Sequence, residues 1–347
     1  AGPALAYWLH RAGHQPTLIE RAPRFRTGGY VLDFWGLGYG IAEKMGIIEA
    51  VRDASYQVQS LRSVGRDGRT EAEVSVAGFQ RATGGKFTSV PRGDLAAAIY
   101  ATIENDVETI FSDSITAIAE HRDGVRLDFE RTESRDFDLL VGADGLHSTV
   151  RRLTFGPEAQ VEHYLGCVVA AFVVDGYPAR DELFYVTHNL PGRQVGRFSL
   201  RGNRTMFLFI VRTDRVGHVG DVDAGKALLR SEFGDAGWEC PRILAELDGV
   251  DDLYFDVVSQ IRMPRWSRGR VALIGDAAAC VSLLAGEGTG LAMAEAYVLA
   301  GELVRAGDDH LRAFDAYETR LRPFIEDKQA SAEKFLSFFA TRTTLGI

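Results

Sequence analysis

The sequence is poor in the groups that mark several large function classes. Its three cysteines, Cys167, Cys240 and Cys280, are far apart and include no C-x-x-C pair. That argues against a disulfide framework or a zinc site, and it fits a reducing cytoplasm. Lysine is scarce: Lys44, Lys86, Lys226, Lys328 and Lys334 are all there are. No basic run occurs and the net charge is -9, so a nucleic-acid surface is not expected. The longest apolar run, from Leu165 to Val174, is half the roughly 20 residues a membrane-spanning helix needs, and it reads as a buried strand. No secretory leader is visible. G-x-S-x-G and H-E-x-x-H are both missing, and none of the eight histidines stands in a catalytic pattern.

What is present is a mixed α/β pattern. Residues 3–12, 38–53, 94–103, 223–233, 288–306, 308–326 and 327–340 have helical periodicity. Strands are expected at 15–20, 107–129, 137–142 and 271–275, and in short pieces over 57–90 and 163–260. Arg201-Gly202-Asn203 suits a hairpin turn. The α/β pieces fall at 1–54, 91–160 and 263–347, and the antiparallel pieces at 55–90 and 161–262. Two domains interleaved in sequence are expected, a parallel-sheet domain and an antiparallel-sheet domain.

Three strand-to-glycine junctions carry the chemical signal. The first is AGPALAYWLHRAGHQPTLIER, where Gly2 opens a helix and Glu20 ends the next strand. Gly2 suits the last glycine of a G-x-G-x-x-G turn, with the preceding strand and glycines not in the sequence. The numbered start is therefore expected to lie inside the natural protein. A plain amphipathic helix followed by a strand fits these residues equally well. The second junction is Gly142-Ala143-Asp144-Gly145, with Ser148 as a helix N-cap. Asp144 there either faces a ligand or caps backbone amides. The third joins Gly275-Asp276 to Gly286-Glu287-Gly288-Thr289-Gly290-Leu291, a turn able to expose several N–H groups to an anion.

These junctions, with Pro91-Arg92-Gly93-Asp94 between the first two, resemble the class A flavoprotein monooxygenases of the para-hydroxybenzoate hydroxylase fold. The stretch from Arg26 through Gly28-Gly29 to Asp33 is similar to the tetracycline-inactivating branch. The resemblance implies a Rossmann-like FAD-binding parallel-sheet domain interleaved with an antiparallel substrate domain. It implies non-covalent FAD, with Gly2 at the pyrophosphate and Glu20 and Arg21 at the adenosine. Arg92 would reach the ribityl and phosphate region, Asp276 the ribityl hydroxyls, and Gly286, Gly288, Gly290 and Leu291 the flavin edge. Arg26 and Asp33 would sit beside the flavin, Arg26 as a contact for the nicotinamide cofactor, and Asp144 and Gly145 would serve both FAD and NAD(P)H.

The implied reaction takes a hydride from NADPH or NADH, and passes one oxygen of O₂ through a flavin C4a-hydroperoxide to an aromatic or polyketide-like substrate. No acid–base catalytic residue and no metal is expected. Phe34, Arg197, Phe207 and Phe209 are candidate substrate contacts, although each phenylalanine also suits the core and Arg197 a solvated sheet. A monomer or homodimer, with no nucleic-acid or membrane partner, is expected. Another FAD oxidoreductase of this fold, a halogenase or prenyl-chain reductase, is the alternative, as is a flavin-binding protein without turnover. The halogenase segment W-x-W-x-I-P is absent. Ala279, Ser282 and Leu283 replace a histidine and a Pro-Pro pair usual in the Gly-Asp loop.

Overall fold

A computed structural model describes residues 1–24, 30–178, 181, 183–214, 221–283 and 286–339, with side chains as far as 334. Arg26, Gly28 and Gly29 lie outside the described residues.

The opening helix is Gly2–Arg11. Pro3 near its start presets a helical φ, and Ala4, Leu5, Ala6 and Tyr7 are buried. They pack toward the helices Gly288–Ala306 and Arg92–Tyr100. Gly13, at φ +89°, turns the chain into the strand Thr17–Glu20, which pairs in parallel with Glu108–Phe111. A second parallel pair joins Leu140–Gly142 to Val271–Leu273. Among the described residues no strand links the two pairs. Gly2 lies between them: a Cβ there would be 3.6 Å from Ala143 Cβ and 3.7 Å from Leu18.

The larger sheet has seven strands, all drawn from 55–90 and 161–262. Its longest strand, Glu162–Asp175, is second from one edge and pairs antiparallel with Arg204–Arg212 on one side and with the edge strand Tyr254–Ile261 on the other. Strands Arg193–Leu200 and Arg204–Arg212 form the expected hairpin, with Gly202 and Asn203 both at positive φ. Because side chains alternate across a strand, the sheet has two different faces. One carries Val168, Phe172, Phe207 and Phe209 and is covered by the helices Val222–Phe233 and Cys240–Glu246. The other carries Val169, Leu208, Ile210 and Val258, and packs Tyr254 and Leu283. Leu283, on that second face, belongs to the loop that follows Gly275 and Asp276.

The expected helix over 38–53 is two helices, Gly36–Met45 and Ile48–Ala54, because Gly46 ends the first at φ +76°. The two expected final helices are one, His310–Phe339, which runs through Pro323. Strand Phe87–Pro91 does not join the large sheet; it pairs with Val31–Trp35. No described helix is long and apolar enough to cross a membrane.

His147 ties the two halves together. Its Nδ1 lies 2.8 Å from Glu158 Oε1, and its Nε2 lies 3.1 Å from Asp256 Oδ1 on the large sheet. Asp256 first, then Glu158, raises the imidazole pKa from 6.5 to about 9. The folded value exceeds the unfolded one, so this stabilisation is complete below pH 6.5 and is lost as pH rises through about 9. The side chain is 45% exposed, which limits the gain to under about 1 kcal/mol. Urea unfolding of His147→Ala at pH 6 and pH 10 should show a cost that shrinks at the higher pH. An equal cost at both would contradict the ion-pair account.

Candidate active site

The three junctions meet where ligands bind in open α/β sheets, at the carboxyl ends of the parallel strands. Glu20 ends its strand and accepts the Ala22 N–H at 2.7 Å through Oε1. Arg21 is exposed beside it. Gly275 stands at φ +63°, where a Cβ would come within 3.1 Å of Ala1. Asp276 follows it, and a Cβ on Gly288 would sit 3.7 Å from Asp276 Oδ1. Gly2, Gly275, Asp276 and Gly288 thus form a single neighbourhood.

Arg92 completes it from another direction. Strand Phe87–Pro91 delivers it to the first position of helix Arg92–Tyr100, and its backbone N–H donates to Tyr30 O at 3.1 Å. Its guanidinium is exposed, with no hydrogen-bond or ion-pair partner among the described residues. Burial pushes the Tyr30 hydroxyl up; Arg92 pulls it down and Asp276 pushes it up. Arg92 and Asp276 therefore share one electrostatic environment. Tyr30 stands against Tyr254 of the large sheet, ring centroids 5.7 Å apart, and the Tyr254 hydroxyl donates to Asp256 at 3.3 Å. The two halves of the molecule meet here.

Asp33 borders a cleft. Ser89 Oγ donates to its Oδ1 at 2.6 Å. The carboxylate is open to solvent, yet surrounding protein raises its pKa, with the Ser89 bond pulling it down. An accessible group hemmed in by protein is what a cleft wall produces. A narrow groove brings Asp33 and Phe34 to Gly286, Gly290 and Leu291. Gly286, at φ +68°, has open space where a side chain would be. Phe34 itself is fully buried against Tyr39 and Gly38.

Several expected contacts are engaged elsewhere. Phe207 and Phe209 are not on the cleft face: they pack with Phe172, Tyr177 and Phe233 under the covering helices. Arg197 shares their face, two residues from buried Val195; it pairs with Asp181 at 2.8 Å and lies over Trp238. Strand alternation sends all three away from the cleft. Asp144 accepts from Ser148 Oγ and from Val150 N–H at 3.0 Å, so its carboxylate caps the helix Thr149–Phe155. Gly145, at φ +81°, keeps open space beside it. Gly290 is held by packing, since its Cα lies where a Cβ on Gly38 would be only 2.5 Å away.

The structure adds residues that motif reading passed over. Glu295 is buried in the helix Gly288–Ala306, and Gly275 N–H donates to its Oε2 at 2.5 Å. Tyr317 Oη lies 3.1 Å from the same oxygen. Glu295 therefore anchors the turn that presents Asp276. Its sequence signal is one acid inside the apolar stretch Leu291-Ala-Met-Ala-Glu295-Ala. Arg151, also buried, donates to Leu146 O, Ala277 O and Glu158, tying the second junction to the third.

Burial raises the Glu295 carboxyl from 4.5 to about 7, against the opposing bonds from Gly275 and Tyr317. Its proton-linked stability is full below pH 4.5 and is lost as pH rises through about 7. Glu295→Gln should remove this loss, worth up to about 3 kcal/mol, and so raise stability relative to the parent at pH 8 but not at pH 4.5. Unfolding curves at the two pH values check it; a parallel shift at both would contradict it.

The residues fit FAD. Gly275 and Gly288 form a cradle that side chains would fill, with a guanidinium unpaired among the described residues on one side and a carboxylate at a strand tip on the other.

The family model described as "FAD binding domain" matches residues 1–331. An uncharacterized Mycobacterium tuberculosis protein is 39% identical over 336 residues, covering 95% of this chain and 89% of its own. A flavin-dependent monooxygenase from an unknown prokaryotic organism is 34% identical, covering 95% of this chain and 85% of its own. The crystal structure of tetracycline destructase Tet(55) superposes with a TM-score of 0.87 at 32% identity, covering 97% of this chain and 86% of that one. With a cradle for FAD at the strand ends and these relatives across nearly its whole length, the chain belongs to the FAD-binding-domain family and is a flavin-dependent monooxygenase.

Proposed function

We propose that the protein hydroxylates an aromatic or polyketide-like small molecule in the cytoplasm, with NADPH or NADH as reductant. One atom of O₂ enters the substrate and the other leaves as water. The reading rests on the meeting of the two halves, where Arg92 and Asp276 share the surroundings of Tyr30, and Tyr30 stands against Tyr254 on the apolar face of the large sheet. Bound FAD supplies the redox chemistry.

The side chains of this chain bind, orient and exclude water. The first N–H groups of helix Gly2–Arg11 have no intrahelical partners and suit the pyrophosphate. Arg92 neutralises phosphate charge, and Glu20 with Arg21 suits the adenosine. Asp276 accepts hydrogen bonds from ribityl hydroxyls, on a turn fixed by Glu295. Asp33, held by Ser89, and the turn from Gly286 to Leu291 border the flavin edge. Tyr254, Leu208 and Leu283 keep the substrate side apolar and would exclude water from it.

The test is a panel of phenols, quinones and polyketides, a tetracycline among them, scored by NADH or NADPH consumption and product mass. At least one compound should stimulate consumption about tenfold and gain one oxygen atom. Unstimulated consumption and unchanged mass across the panel would overturn the reading.

A further inference from the structure

Helices Gly2–Arg11 and Gly288–Ala306 both start at the cofactor cradle and run away from it. At about 1.5 Å per residue, their far ends lie roughly 14 and 27 Å from their starts. There they border a surface groove of about 370 Å³, with Arg320 of the last helix at its edge. The groove shares no lining residue with the flavin site.

One wall is aromatic. The rings of Trp8 and Tyr297 meet edge to face with centroids 4.9 Å apart, and Tyr297 is 38% exposed. Gly301 and Ala300 contribute small residues to the lining, and Val304 is 56% exposed. The rim is cationic: Arg11, Arg305 and Arg320 all border it. Arg305 and Arg320 share a single carboxylate, Glu302, at 2.8 and 3.0 Å. Arg11 donates to the Tyr7 hydroxyl at 3.0 Å. Two guanidinium groups thus share one acid and a third lines the same groove, in a chain of net charge -9. Helix dipoles account for arginines at helix C-termini, such as Arg11 and Arg305. They do not account for Arg320 in a helix interior, or for the open aromatic wall.

We propose that this groove binds a small planar aromatic anion, an aryl carboxylate or aryl phosphate. The ring lies against Trp8 and Tyr297, and the anion pairs with Arg305 and Arg320. Guanidinium forks match both anions in a bidentate manner, and the volume falls in the range of small-ligand sites.

Calorimetric titration of the FAD-loaded protein tests this with 2-naphthoate and 2-naphthyl phosphate, against 2-naphthylmethanol and inorganic phosphate. The two aryl anions separate the carboxylate and phosphate sources. At least one should bind, with the alcohol and inorganic phosphate at least tenfold weaker. Arg320→Ala should weaken that binding at least tenfold. Val304→Trp, at an exposed position, should block the groove. Both variants should keep flavin absorbance and melting temperature. Failure of both aryl anions to bind, equal binding of the alcohol, or parental affinity in both variants would overturn the proposal.

Discussion

Asp276→Ala is expected to weaken FAD binding by roughly ten- to a hundredfold, the loss of one charge-assisted hydrogen bond at about 1.5–3 kcal/mol. Asp276 stands at a strand tip, and Gly288 leaves the space before its Oδ1 open for a ligand hydroxyl. The turn itself is held by the Gly275 N–H bond to Glu295, which this change leaves in place. Folding should therefore be little altered. Asp276→Asn keeps an acceptor and should lose less. Fluorescence titration of FAD into the three proteins reads the effect, and parental affinity in the alanine variant would remove Asp276 from the site.

Gly38→Ala is expected to be the more damaging to the fold. A Cβ at Gly38 would fall 2.5 Å from Gly290 Cα and 2.8 Å from Phe34. Phe34 could turn aside, but the Gly290 backbone cannot yield without moving its helix. Helix Gly36–Met45 and helix Gly288–Ala306 would be forced apart at their crossing. Overpacking of this kind costs about 3 kcal/mol. The displaced helix begins at the glycine-rich turn, so flavin affinity should fall with stability. Gly40→Ala, where a Cβ meets nothing, is the control and should be neutral or stabilising. Urea unfolding of both variants checks this; equal stabilities would show that the helix contact is softer than the geometry implies.

The turns proposed for the site were legible as turns. Gly2 and Gly288 open helices and Asp276 follows a strand, and such starts have sequence signatures. Ser148 reads as an N-cap and is one, accepting from Arg151 N–H. The helix Gly288–Ala306 and the hairpin at Gly202-Asn203 were readable from periodicity and turn chemistry. What depends on strand register was not. Phe207 and Phe209 were placed by hydrophobicity, but which face of a strand meets the cleft is set by partners far away in sequence. Arg197 follows the same register, and its partner Asp181 could not be found from spacing. Tyr254 and His147 owe their places to contacts between the two halves of the molecule. Asp144 shows a third kind of limit. Its acid satisfies the cap pattern and a ligand pattern equally, and only its bonds to Ser148 and Val150 decide where the carboxylate is used.

The most direct measurement is the flavin content of the purified protein. Extracted without proteolysis, the bound chromophore should be FAD, close to one equivalent per chain. It should be released on denaturation, and Asp276→Ala should retain markedly less. A colourless protein that takes up no added FAD would contradict the central claim.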